Sequence, residues 1–152
     1  MTDTLVLACG NSLRGDDGVA HAAAARVQSW KMPDVRVICV HQLTPEVIDE
    51  MNNAARVIFL DASVLPADAA FDVSAVKPRQ SRRQFGHFES AQSLLALLAE
   101  LEGRVPEALL LSIRAASFEH GESLTETARK NLDEAMAWLR SYLVDQQCTK
   151  SA

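Results

Sequence analysis

LACGNSLRGDDGVA, residues 7–20, is the stretch whose reading decides the fold. It continues an apolar segment, 4–9 (TLVLAC), that reads as a buried strand, and it runs into 18–31 (GVAHAAAARVQSWK), which reads as a helix ended by Pro33. A glycine turn between a strand and a helix often holds an anion, because backbone amides at the helix start carry partial positive charge. Here two adjacent carboxylates, Asp16 and Asp17, stand where the helix begins and would repel a phosphate. A Walker loop needs a Gly-Lys dipeptide, which the chain lacks, and a dinucleotide loop needs GxGxxG where residues 8–13 read ACGNSL. The stretch therefore reads as a strand–turn–helix whose loop suits a cation.

The same alternation continues outward. VRVICV (35–40) reads as a second strand, and Thr44-Pro45-Glu46 opens a helix with an N-cap threonine and proline at its first position. RVIFLD (56–61) and FDVSAV (71–76) read as the third and fourth strands. Residues 90–102 carry apolar side chains at 91, 94, 95, 98 and 101, a helical face. ALLLSI (108–113) is the fifth strand, and a last helix runs from about 124 to 143, opened by a capping box from Ser123 to Glu126. Residues 145–152 are expected to form a frayed tail. This order predicts an α/β chain with one domain over 1–152. It should hold a five-stranded, mostly parallel twisted sheet with helices on both faces. The loop 77–88 (KPRQSRRQFGHF) carries four basic residues, Lys77, Arg79, Arg82 and Arg83, and reads first as a solvated loop, second as a docking surface.

Composition excludes several classes. The 152 residues are 48% hydrophobic and 23% charged, the profile of an ordinary globule. No apolar run approaches the roughly 20 residues that span a bilayer, and the N-terminus lacks a basic leader, so neither a membrane nor a signal peptide is expected. A net charge of −5 argues against nucleic acid as the main partner. Cys9, Cys39 and Cys148 form no paired pattern; the first two read as buried strand thiols, and a reducing cytoplasm fits best.

Ligands of open α/β sheets sit beyond the carboxyl ends of the strands, near a switch in strand order. The polar residues expected there are Asn11, Asp16 and Asp17 after the first strand, and His41 and Gln42 after the second. Asp61 follows the third, His87 opens a helix, and Arg114, Ser117, Glu119 and His120 follow the fifth. Together Asp17, Asp61 and His87 would make a carboxylate–carboxylate–imidazole set, suited to zinc or nickel with positions left open. Their separations, 44 and 26 residues, form no local ligand motif, so the set depends on three loops meeting at one sheet edge. Each residue also has a plainer reading. An aspartate before a helix is often an N-cap worth about 1 kcal/mol, yet only one of Asp16 and Asp17 can be that cap. Asp61 can start a turn, and His21, His41 and His120 read as ordinary loop or helix histidines.

VLACGNSLRGDDGVA (6–20), IFLDAS (58–63) and the histidine opening the next helix resemble the hydrogenase maturation proteases. These are the endopeptidases that trim the C-terminus of the large subunit of nickel–iron hydrogenases. The family's opening motif, approximately GxGNxLxxDDGxG, is matched at Gly10, Asn11, Leu13, Asp16, Asp17 and Gly18, while Ala8 and Ala20 replace its first and last glycines. HQLTPEVIDEM (41–51) and SFEHGESLTE (117–126) are similar to segments of one branch, so the resemblance covers nearly the whole chain. It implies that Asp17, Asp61 and His87 contact the metal and, with Asp16, form the catalytic set. It further implies that the nickel belongs to the substrate, with no tightly bound cofactor, although zinc or cadmium could occupy the same ligands. The partner would be the nickel-loaded large-subunit precursor, met by a monomer through Asn11, His41, Gln42 and His120. Asp16 or a metal-released Asp17 would serve as general base on a water, or the metal would polarise water or carbonyl. Two rivals are a phosphoacceptor receiver domain, whose acids should lie nearer the strand end, and a non-catalytic nickel-binding chaperone using the same ligands.

Overall fold

The computed structural model of the chain describes residues 2–10, 18–63, 69–79, 86–115 and 124–151, with residues 2, 86–90 and 150–151 given by their backbone alone. The first strand, β1 (Thr2–Cys9), is apolar on both faces, and Leu5, Val6, Leu7 and Ala8 are fully buried. Such a strand needs a neighbour on each side and a layer above and below, as parallel sheets provide. It pairs in parallel with β2 (Val35–Val40) on one side and β3 (Ala54–Ser63) on the other. Beyond β3 lies β5 (Glu107–Arg114), also parallel, and β4 (Phe71–Ala75) closes that edge antiparallel to β5. The order is β2-β1-β3-β5-β4, so the five-stranded, mostly parallel expectation holds.

Period-two alternation sorts each strand between two cores. Leu5, Leu7 and Cys9 of β1, with Val57 and Phe59 of β3, pack under α2 (Ile48–Asn52) and α3 (Gly86–Glu102). Val6, Ala8, Ile58 and Leu60 pack under α1 (Val19–Ser29) and α4 (Glu126–Ser151). Each fully buried leucine contributes roughly 1.5–3 kcal/mol of transfer free energy, so the two layers hold the sheet from both sides. Among the described residues no helix is long and apolar enough to cross a membrane.

Several expectations are corrected. Residues 145–151 are not a frayed tail, because α4 continues through Ser151. No glycine or proline interrupts the helix, Leu143 is buried, and Gln146 accepts a hydrogen bond from Arg56 (2.8 Å). Arg56 also pairs with Glu107 (3.0 Å) and lies over the Tyr142 ring, which ties the late turns of α4 to β3 and β5. The cap of α4 is Thr125, whose hydroxyl accepts the Ala128 amide (3.1 Å), rather than Ser123, which lies outside the described residues. Thr44 takes the cap position with extended geometry but makes no side-chain cap bond, and the helix opens as a 3-10 turn over Pro45–Val47. In α3 the apolar face is buried at Ala91, Leu94, Leu95 and Leu98, while Leu101 is exposed. The helix ends there at Gly103, whose φ of 68° and bond to the Ala99 carbonyl reverse the chain. Cys39 is exposed rather than buried, because β2 is an edge strand with only one neighbour.

Candidate functional site at the carboxyl edge of the sheet

From β1 the chain crosses through α1 to β2, then through α2 to β3 on the opposite side of β1. In open α/β sheets such a reversal marks the edge, beyond the carboxyl ends of β1 and β3, where ligands bind. The residues reaching this edge are Cys9 and Gly10 from β1, His41 and Gln42 after β2, and Asp61 in the last turn of the β3 ladder. Asp61 follows Leu60, the partner of Ala8, so it stands level with the end of β1. Alternation after Val57 and Phe59 sets it on the face covered by α2 and α3. It is 8% exposed, one of few polar side chains buried among the described residues. Its ladder partner on β5 is Ser112, equally buried.

The connection to α3 behaves differently from a simple loop after a strand. Because β4 is antiparallel, its last residue, Ala75, pairs with Leu109 and lies at the amino edge. The segment after it climbs beside α3, with the Arg79 amide bonded to the Gln92 carbonyl (3.2 Å). α3 then descends over 17 residues, about 25 Å at 1.5 Å per residue, to meet the start of β5. Its first turn, which carries His87, therefore begins at the carboxyl edge, on the same face of the sheet as Asp61. The helix starts at Gly86 rather than near 90, so His87 is its second residue. Arg104, just past the helix, donates to the carbonyls of Asn52 and Ala54 and fixes its far end against α2 and β3.

Of the residues singled out from sequence, Asn11, Asp16, Asp17 and His120 lie outside the described residues, as do Ser117, Glu119, Arg82 and Arg83. The N-cap position of α1 is Gly18, which makes no side-chain cap bond, so neither Asp16 nor Asp17 holds that position. His41 and Gln42 are exposed at the end of β2, whereas Arg114 is the final residue of β5. Among the described side chains no group of three or more His, Cys, Asp or Glu is gathered as a metal site.

One histidine acquires a place that the sequence did not assign. His21, in the first turns of α1, donates through Nε2 to the Val40 carbonyl (3.3 Å) and sets its ring 5.9 Å from that of His41. The buried Cys9 thiol donates to the His41 carbonyl (3.5 Å). These contacts bind the ends of β1, β2 and α1 into one corner. The only sequence signal for it was a histidine early in a helix that follows the switch-point loop.

No protein-family model and no curated protein matches the chain. Solved structures do. The chain is similar to the NiFe hydrogenase maturation protease HybD from Thermococcus kodakarensis, at TM-score 0.72 and 21% identity over 92% of this chain and 98% of that one. It is similar to the hydrogenase maturating endopeptidase HybD from E. coli, at TM-score 0.73 and 19% identity over 95% and 93%. It is also similar to the NiFe hydrogenase maturation protease HycI from Thermococcus kodakarensis, at TM-score 0.67 and 20% identity over 91% and 90%. At these scores and with nearly full mutual coverage, the chain has the fold of the hydrogenase maturation proteases.

Proposed function

We propose that this protein is an endopeptidase that removes the C-terminal extension of a nickel–iron hydrogenase large-subunit precursor after nickel has been inserted. The observation that supports this reading most directly is Asp61, a carboxylate 8% exposed at the switch point of a fold shared with maturation proteases. A carboxylate at this edge is an oxygen donor that a cation brought by the substrate would meet when the complex forms. Asp17 and His87 complete a set of two oxygens and one nitrogen, which suits nickel and leaves coordination positions to the precursor's own ligands. The nickel is thus part of the substrate, the protein needs no cofactor of its own, and zinc or cadmium would compete for the same ligands.

In the reaction a water oxygen adds to the scissile carbonyl, the C–N bond breaks, and the departing amine takes a proton. Asp16, or Asp17 once released from the metal, accepts the proton of the attacking water. Asn11, His41, Gln42 and His120 contact the precursor around that bond. Free thiols at Cys9, Cys39 and Cys148 suit a cytoplasmic monomer.

The test is to incubate the purified protein with nickel-loaded and nickel-free precursor and to weigh the products by mass spectrometry. Shortening of the nickel-loaded form alone is expected. If neither form is shortened while nickel still binds, the protein is a non-catalytic nickel-binding chaperone instead.

A further inference from the structure

We propose that the outer edge of β2 seats the extended C-terminal segment of the precursor as an added strand and leads it to the carboxyl edge. This rests on the peptidase reading above. The register fixes which groups face outward. The Thr4 amide bonds to the Asp34 carbonyl (3.1 Å) and the Gly10 amide to the Val40 carbonyl (3.2 Å), with pairs running from Thr4–Val35 to Cys9–Val40 between them. In a parallel ladder, both backbone groups of a residue point the same way, and successive residues alternate. Asp34, Arg36, Ile38 and Val40 therefore turn toward β1, while Val35, Val37 and Cys39 turn outward. The Val35 amide is taken by the Met32 carbonyl (3.2 Å). Among the described residues nothing pairs with the amide and carbonyl groups of Val37 and Cys39.

Exposed strand edges are normally blunted by proline, by lysine or by a bulge. VRVICV has neither residue, and its regular register leaves no bulge. Its one charge, Arg36, is paired with Glu50 of α2. An open edge of this composition is the kind to which peptides add by backbone hydrogen bonding. It also runs directly into the candidate site: the Val40 carbonyl is shared by Gly10 and His21, and the next residue is His41. At about 4.8 Å per strand, Asp61 on β3 lies three strands, roughly 14 Å, from an added strand. About four extended residues span that distance at 3.3 Å each. A tail seated on β2 would thus cross the carboxyl ends of β2 and β1 to present its scissile bond near Asp61. A second copy of this chain is the weaker occupant. Two outward-facing residues per copy make a contact far below the roughly 1,200 Å² of a stable interface, whereas the tail is held at its other end by nickel.

Cys39→Pro tests this, because it removes one outward amide and breaks no bond to β1; proline is tolerated at such edge positions. Cys39→Ala is the control, which loses the thiol and keeps the amide. With nickel-loaded precursor, Cys39→Pro should raise KM about five- to ten-fold at nearly unchanged kcat, while Cys39→Ala stays within two-fold of the parent. Equal KM for a folded Cys39→Pro and the parent would overturn the proposal. Should Cys39→Pro fail to fold, hydrogen exchange of the Asp61→Asn protein with precursor bound decides the matter. Slowed exchange at the Val37 and Cys39 amides supports an added strand, and unchanged exchange overturns it. Protection of these amides that grows with protein concentration in the free protein would assign the edge to a second copy and likewise overturn it. If the parent protein cleaves no precursor at all while these amides are still protected by it, the peptidase reading fails and the edge site stands.

Discussion

Asp61 and Ser112 stand opposite one another in the β3–β5 ladder, each 8% exposed, as the two buried polar side chains of those strands among the described residues. Below them the same face is filled by Phe59 and Leu110, fully or nearly buried in one apolar cluster. The chain thus keeps its polarity for the last rungs of the ladder, at the edge where the strand order reverses.

Replacing Asp61 by asparagine keeps the volume and removes the charge. Cleavage of nickel-loaded precursor should fall at least about a hundred-fold, a loss of roughly 3 kcal/mol in the transition state. Tm should move by only a few degrees, read by circular dichroism on the same sample. Retained cleavage would remove Asp61 from the site.

α3 keeps its place on the sheet only as firmly as its apolar face is packed. Leu95 and Leu98 are fully buried between α3 and the sheet. Leu95→Ala or Leu98→Ala should each cost about 2–5 kcal/mol in urea unfolding, with an unchanged m-value. A cost under 1 kcal/mol at both positions would mean that this packing is not what anchors the helix.

The cap of α4 gives a local test. Thr125→Ala removes the acceptor for the Ala128 amide and should cost about 0.5–2 kcal/mol. Thr125→Ser should recover most of that stability in the same melts.

Alkaline pH should weaken the fold in a stated order. Partial desolvation raises the thiol of the otherwise exposed Cys39 above its usual 9.0, and partial burial also raises Tyr142 above 10.0, with Arg56 opposing and Glu107 adding to the shift. In both cases the protonated form is favoured in the folded chain, so the unfolded chain loses its proton first. Stability from Cys39 is complete below about pH 9 and declines as pH rises toward the folded value; Tyr142 follows from about pH 10. Urea midpoints between pH 8 and 11 should therefore fall less steeply in Cys39→Ala than in the parent. Identical slopes would show that the thiol contributes nothing.

His21 predicts a smaller effect at the corner of the site. Losing its bond to the Val40 carbonyl should cost about 0.5–1.5 kcal/mol in His21→Ala. An unchanged midpoint would mean that the end of β2 is held by the Gly10 amide alone.

Sequence by itself determined the elements, because period-two and period-3.6 patterns are local and strong here. The strand VRVICV was read with its observed ends, and the boundaries of the four other strands were read to within two residues. Asp61 was legible as a candidate because it directly follows the apolar run VIFL. Other features depended on contacts between distant segments. Nothing local shows that β4 runs antiparallel, which is what starts α3 at the carboxyl edge, on the face of the sheet that carries Asp61. The helical state of residues 145–151 depends on Arg56 meeting Gln146, 90 positions away. The His21–His41 corner arises because parallel pairing of β1 and β2 brings α1 above the end of β2. Which groups of β2 face outward was decided only by register, since a shift of one residue would turn Val37 and Cys39 toward β1 and leave Arg36 and Ile38 at the edge.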